Sequence, residues 1–192
     1  MNGPSWVPEP DHDAVLEANW LFTLRRKRFR SRESGRSHDY YIVDLADAVN
    51  VIAITEKREL VLVRQFRAGS LTDSLETPGG LLNPDEDVCA AGARELLEET
   101  GYVGDPPRIL NTAWPNPSLL GSRITTILIE NARLIGETAF DDHEELELIL
   151  VPESEIPAAL QSGRIDHALV VQGLLWWAAT RFGWFSNLST KL

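Results

Sequence analysis

The sequence predicts a mixed α/β fold: one mixed β-sheet covered by helices, preceded by a small N-terminal antiparallel β element. Three observations carry this expectation. Val- and Ile-rich runs at 48–55 and 59–66 read as two strands of a main sheet. Helical and strand-like segments intermingle without a regular strand–helix–strand repeat, which argues against a doubly wound parallel sheet. A basic, alternating stretch at 20–32 is followed by turn residues and a second strand-like run.

The elements follow in order. Residues 1 to about 16 are Pro-rich and acidic and read as a loosely held arm. The even positions from Trp20 begin Trp20, Phe22, Leu24 and continue Arg26, Arg28, Arg30, Arg32, which suits a strand passing from a buried to a wet environment. Glu33-Ser34-Gly35-Arg36 reads as a hairpin turn and 39–45 as its return strand. Glu56-Lys57-Arg58 separates the two strands of the main sheet, and further strands are expected at 124–129 and 146–151. Helices are expected at 85–100, 153–161 and 167–182, the last stopped by Gly183. This divides the chain into an arm and β element at 1–46 and a main domain at 47–192.

A chain of 192 residues is long enough for one well-buried core and a small accessory piece. Its 43% hydrophobic and 24% charged residues are ordinary for a soluble protein. No segment approaches the roughly 20 uninterrupted apolar residues that span a bilayer, so no membrane partner is expected. The N-terminus has neither a basic nor an apolar leader region, so export is not expected. Cys89 is the only cysteine, which excludes an intramolecular disulfide and fits a reducing cytoplasm, the expected compartment.

The net charge of −11 argues against broad nucleic-acid binding, which needs clustered Lys and Arg. Arg25, Arg26, Lys27, Arg28, Arg30, Arg32 and Arg36 nevertheless supply seven of the 18 basic residues. Two readings stand side by side: a solvated strand whose charges guard an edge, or arginines that reach a bound phosphate.

The chemistry lies in one stretch. A Pro78-Gly79-Gly80 loop feeds a helix that Gly101 ends. At about 100° per residue, Glu95 and Glu99 share one face, with Glu98 beside them. Like charges so placed repel by about a few tenths of a kcal/mol even when exposed, so something positive should offset them. Hard divalent cations prefer oxygen ligands, and Mg²⁺ is commonly held by carboxylates together with substrate phosphates. The plainer alternative is a solvated acidic helix end with Arg94 in surface pairs.

The spacing resembles the Nudix box: Gly, five residues, Glu, seven residues, Arg-Glu, an aliphatic residue, any residue, Glu-Glu, any residue, Gly, then an aliphatic residue. Gly80, Glu86, Arg94, Glu95, Leu96, Glu98, Glu99 and Gly101 fall in place, and Tyr102 stands where an aliphatic residue is usual. Beyond the box, Arg64-Gln65-Phe66-Arg67, 75–80 and 163–168 are similar to the ADP-ribose and nucleotide-sugar pyrophosphatase branch of that family. The likeness covers residues from about 20 to 182 and is weakest at its N-terminal end.

This resemblance implies an α/β/α sandwich that hydrolyses the pyrophosphate of ADP-ribose or a nucleoside diphosphate sugar, using Mg²⁺ or, in its place, Mn²⁺. It also implies a homodimer in which the N-terminal β element is exchanged, and a small-molecule nucleoside diphosphate derivative as the partner. Carried over by position, Glu95 and Glu99 would be the principal metal ligands. Glu98 would join the metal cluster or orient water, and the Gly79 carbonyl would be a further ligand. Glu86 and Arg94 would brace loop and helix, Arg67 would contact the substrate's phosphates, and Glu76 would lie near the pocket.

A second acidic group, Asp141-Asp142-His143-Glu144-Glu145, precedes the strand at 146–151. On the same resemblance Glu144, and after it Glu145, would be metal ligand or general base. The alternative is a solvated acidic turn, with His143 a bystander in either case. Residues 115–123 depart from the branch pattern, because Arg123 stands where an acid is expected, which makes it a candidate substrate contact. Two other functions remain in view: a nucleoside triphosphate or RNA 5′-end pyrophosphohydrolase, and a non-catalytic module that binds ADP-ribose. The intact Glu95, Glu98 and Glu99 set counts against the last. Trp176 and Trp177 are expected in core or dimer packing, and Cys89 as a buried spacer beneath the box helix.

Overall fold

The computed structural model describes residues 3–136 and 146–183. They divide into two compact units, one of Met1–Asp47 with Trp114–Arg123 and one of Ala48–Ala113 with Ile124–Leu192.

The first unit is a four-stranded antiparallel sheet: β1 (Trp6–Pro8), β2 (Ala14–Ala18), β3 (Thr23–Ser31) and β4 (Ser37–Asp44). β4 runs along one edge of β3, while β1 and β2 share the other. The N-terminal arm is therefore not loose. Its acidic residues find partners on β3 and β4: Glu9 accepts from Arg30 Nε at 2.7 Å and from the Ser37 hydroxyl at 2.7 Å. Asp13 accepts the Arg28 backbone N–H at 3.1 Å, and Trp6 meets Tyr40 edge to face.

Part of the basic run on β3 is neutralised in the same way. Arg25 pairs with Asp44 at 2.8 Å, and Arg28 donates to both oxygens of Asp39 at 2.6 and 3.0 Å. Ion pairing within the sheet thus occupies Arg25, Arg28 and Arg30. Trp20, expected as the buried start of this strand, is instead 92% exposed. The reason is local: the Asn19 side chain accepts the N–H groups of Leu21 and Phe22 and closes a turn ahead of β3.

The second unit has an eight-stranded mixed sheet. Its main path runs β10 (Arg108–Ala113), β11 (Ile124–Leu134), β5 (Ala48–Thr55), β6 (Glu59–Arg67) and β12 (Glu147–Pro152). β11 and β5 are parallel and the other neighbours antiparallel. Short strands β7 (Thr72–Glu76), β8 (Gly79–Leu81) and β9 (Tyr102–Val103) pair with β6, β5 and β11 respectively.

Alternation along β5 sends residues to two cores. Val49, Val51 and Ala53 pack with Ala91 and Leu96 of α1 (Val88–Thr100), together with Tyr102, Ile127 and Ile129. Ile52 and Ile54 pack with Ile156 and Ala159 of α2 (Ile156–Gln161) and Val170, Leu174 and Trp177 of α3 (Ala168–Arg181). The layers are helix, sheet, helix, the α/β/α sandwich expected. The expected start of the second helix at residue 153 is a single 3₁₀ turn, Glu153–Glu155, because Pro157 suits the first turn of the α-helix that follows.

Trp177 is in the core, whereas Trp176 lines a shallow cavity of about 410 Å³ with Val171, Gln172 and Leu175. Cys89 is only half-buried at the margin of its core. The close approach of α1 to the sheet falls at Gly92 instead, where a Cβ would lie 2.2 Å from Ile127 Cδ1.

α1 begins at residue 88 rather than 85, because Asp87 caps it by accepting the N–H groups of Cys89 and Ala90 at 3.0 Å each. Loss of such a cap costs about 1 kcal/mol. Asp87→Ala should therefore lower the midpoint of thermal unfolding by roughly 2–4 °C, read by circular dichroism.

Candidate active site

The site is built where β8 turns into the loop that leads to α1. β8 pairs with β5 in the register Val49↔Gly80 and Asn50↔Gly79, so the two glycines lie along a buried strand. The Gly79 N–H donates to Glu99 Oε2 at 3.1 Å, and Glu99 is buried on the last turn of α1. A Cβ on Gly80 would lie 2.4 Å from Glu95 Oε1, so any larger residue would displace that carboxylate from its position.

Arg94 is the hub. Its Nε and Nη2 donate to the two oxygens of Glu86 at 2.9 and 3.0 Å, while Nη1 donates to Glu95 and to Glu98 at 2.9 Å each. The expected Glu86–Arg94 brace is present. Glu86 is also fixed through its loop, because its Oε2 accepts the Asn83 N–H at 2.9 Å. The positive charge that α1 requires is, in this arrangement, supplied by a guanidinium. Among the described residues no group of His, Cys, Asp or Glu is already set to hold a metal ion.

The donor set nevertheless fits a hard cation. Glu95, Glu98 and Glu99 are oxygen donors on one helix face, Glu98 keeps 45% of its side chain exposed, and the glycine strand leaves space beside Glu95.

Arg67, at the end of β6, and Glu76, at the end of β7, are joined to each other. Arg67 donates through Nε and Nη2 to both Glu76 oxygens at 2.8 and 2.7 Å. Burial works to raise the Glu76 carboxyl, but the Arg67 hydrogen bonds and charge, with smaller help from His167 and Ser74, hold it below its ordinary value. Chain continuity through Thr77-Pro78 brings this pair to the entrance of the glycine strand.

Arg123 belongs to the first unit, where its guanidinium lies 5.5 Å from the Trp114 ring centroid and its N–H donates to Asp47. Glu144 and Glu145 lie outside the described residues.

Sequence reasoning missed Asn50. It is buried in β5 and its side chain bonds Thr77 and the Leu169 carbonyl. The signal was available, since a lone amide between Val49 and Val51 in a strand buried on both faces must find partners.

The NUDIX domain model matches residues 44–173, and the chain belongs to the Nudix family. The ADP-ribose pyrophosphatase of Bacillus subtilis (strain 168) is 28% identical over 136 residues, 70% of this chain and 74% of that protein. The GDP-mannose pyrophosphatase of Cronobacter sakazakii (strain ATCC BAA-894) is 28% identical over 172 residues, 83% of this chain and 88% of its own. The crystal structure of an ADP compounds hydrolase is similar in fold, with a TM-score of 0.78 at 21% identity, covering 95% of this chain and 96% of that one.

The Arg94 and Asn83 hydrogen bonds hold Glu86 down to about 2, against an ordinary 4.5. A carboxyl lowered on folding contributes its stabilisation fully above the unfolded value and loses it as pH falls through the folded one. A ¹³C titration of the Glu86 side chain should place its midpoint near 2, and Arg94→Met should move it up towards 4.5. A midpoint near 4.5 in the unaltered protein would contradict the brace.

Proposed function

We propose that this chain hydrolyses the diphosphate of ADP-ribose or of a nucleoside diphosphate sugar to a nucleoside monophosphate and a sugar phosphate, with Mg²⁺ as its cofactor. The observation that carries the reading is the gathering of Glu95, Glu98 and Glu99 on one face of α1 against Gly79 and Gly80. The named substrates of the two pyrophosphatase relatives support it. They share a diphosphate-linked sugar and differ in the base, so the substrate is given as a class.

A divalent cation held by Glu95, Glu98 and Glu99 would supply charge neutralisation and Lewis-acid polarisation at the diphosphate. Gly79 fixes Glu99 through its N–H and offers its carbonyl as a further ligand. Arg94 aligns Glu95 and Glu98. Arg67 is the substrate-phosphate contact, and Glu76 acts through it by holding the guanidinium fork in one orientation.

In the reaction, water forms a new P–O bond as the bridging P–O bond breaks, and its proton passes to a carboxylate. Glu144 is our first choice for that acceptor and Glu145 our second, on sequence grounds. Arg123 is retained as a weaker candidate for substrate contact. The lone Cys89 suits a reducing cytoplasm.

Release of nucleoside monophosphate from a panel of ADP-ribose, nucleotide sugars and nucleoside triphosphates, with Mg²⁺ and then Mn²⁺, tests the reading. Glu99→Gln should reduce turnover by about two orders of magnitude or more while leaving the circular dichroism spectrum unchanged. Glu144→Gln should cost roughly 10²- to 10⁴-fold in kcat and Glu145→Gln less. Near-native turnover of Glu99→Gln at saturating Mg²⁺ would remove the helix from the mechanism.

A homodimer through the N-terminal β element is part of the same proposal. Its support is the apolar surface of the β2–β3 hairpin, where Val15, Leu16, Trp20 and Leu21 are all exposed. Sedimentation velocity should show a dimer for the native chain and a shift towards monomer for Trp20→Asp. A native monomer that is fully active would sink the idea.

A further inference from the structure

We propose that Asn50 is a positioning residue for the glutamate site, acting through the turn Thr77-Pro78-Gly79 and tying that turn to α3. The inference rests on the reading of Glu95, Glu98 and Glu99 as a cation site and deepens it.

Asn50 is 4% exposed, and both ends of its amide are used. Its Oδ1 accepts the hydroxyl of Thr77, itself 5% exposed, and its Nδ2 donates to the Leu169 carbonyl in the first turn of α3 at 3.0 Å. Backbone contacts continue the clamp: the Val51 N–H donates to the Pro78 carbonyl at 2.8 Å, and Asn50 is the register partner of Gly79.

The amide needs space that only glycine provides. A Cβ on Gly173 of α3 would lie 2.6 Å from Asn50 Nδ2 and 3.3 Å from Thr126 Cγ2. Thr126 is the partner of Asn50 on β11 and is fully buried. A polar seam therefore crosses the sheet beneath α3, inside an otherwise apolar core.

The seam leads to one functional atom. Gly79, two residues after Thr77, donates its N–H to Glu99. An apolar residue at position 50 would pack in the core without fixing Thr77. The choice of an amide is explained by the turn it holds and, through the turn, by the seat of Glu99. Groups that orient a ligand in this indirect way are worth roughly 10- to 100-fold in metal affinity.

The test uses the full chain and Mn²⁺ alone, titrated by calorimetry without substrate. Asn50→Leu removes both hydrogen bonds while keeping the branching and number of side-chain heavy atoms, Thr77→Val removes only the hydroxyl, and Val151→Ala in the same core serves as a destabilised control distant in sequence. Asn50→Leu and Thr77→Val should each weaken Mn²⁺ binding by roughly 10- to 100-fold. In metal-free protein both should speed hydrogen exchange at the Gly79 amide. Val151→Ala should lower the unfolding temperature and leave Mn²⁺ affinity as it was.

Native-like affinity in folded Thr77→Val overturns the proposal, whether or not Asn50→Leu folds. So does an equal loss of affinity in Val151→Ala. A native chain that binds no Mn²⁺ would take down the cation site and this inference together. A native chain that binds Mn²⁺ but cleaves no diphosphate would strike only the proposed reaction.

Discussion

One guanidinium shared among three carboxylates is the interaction on which the site depends. A helix with Glu95, Glu98 and Glu99 on one face repels itself, and Glu86 adds a fourth acid beside it. Arg94 answers with a planar fork that binds Glu86 through two donors while its remaining edge holds Glu95 and Glu98. A lysine would offset charge without fixing three partners in one geometry. Glu86 and the helix are thereby coupled, so the loop from β8 to α1 is held at its far end as well as by its cap at Asp87. Arg94 cannot by itself neutralise three carboxylates, and the acidic excess is what makes the face attractive to a divalent cation.

Placement of that face comes from the sheet. β5 is buried on both sides and gives one face to α1 and the other to α2 and α3. β8 joins β5 at residues whose missing side chains let backbone and carboxylate meet, which allows Glu99 to be both buried and hydrogen-bonded. A buried carboxylate without such a partner would be strongly disfavoured. The polar seam at Asn50 and Thr126 applies the same rule on the opposite face of the sheet, and it lies beneath the glycine that lets α3 come close.

Local pattern made much of this legible in the sequence. The bounds of β5 emerge directly from a run of Val and Ile, and the grouping of Glu95, Glu98 and Glu99 follows from helical periodicity, which depends only on neighbours in the chain. What escaped depends on partners distant in sequence. Residues 1 to about 16 looked like a loose arm because the partners of Glu9 and Asp13 lie on strands 15 or more residues away. Strands β7 to β9 have five residues or fewer, too few to show an alternating pattern, so their pairing, not their composition, makes them strands. Glu76 read as a pocket acid because nothing in its own segment announces the cross-strand bond to Arg67. Asn50 carried a visible anomaly, but only three-dimensional contacts say that Thr77 and Leu169 answer it.

The Arg67–Glu76 pair leads to a further step. Glu76 is almost wholly buried, whereas Arg67 keeps 45% of its side chain exposed, so the pair presents its cationic partner outward while contributing little net charge. Recognition of a phosphate there would rest on the direction of hydrogen bonds rather than on bulk attraction. The chain as a whole carries −11, and the basic strand β3 spends Arg25, Arg28 and Arg30 on Asp44, Asp39 and Glu9. A dianionic diphosphate approaching such a protein gains little from these paired side chains. Under the proposed function the attraction would come from cations gathered by the acidic helix, so the same carboxylates that make α1 self-repelling would make metal and substrate binding interdependent. On this argument, affinity for a diphosphate should depend far more steeply on divalent cation than on monovalent salt, because the charge that holds it is borrowed rather than encoded in lysines and arginines.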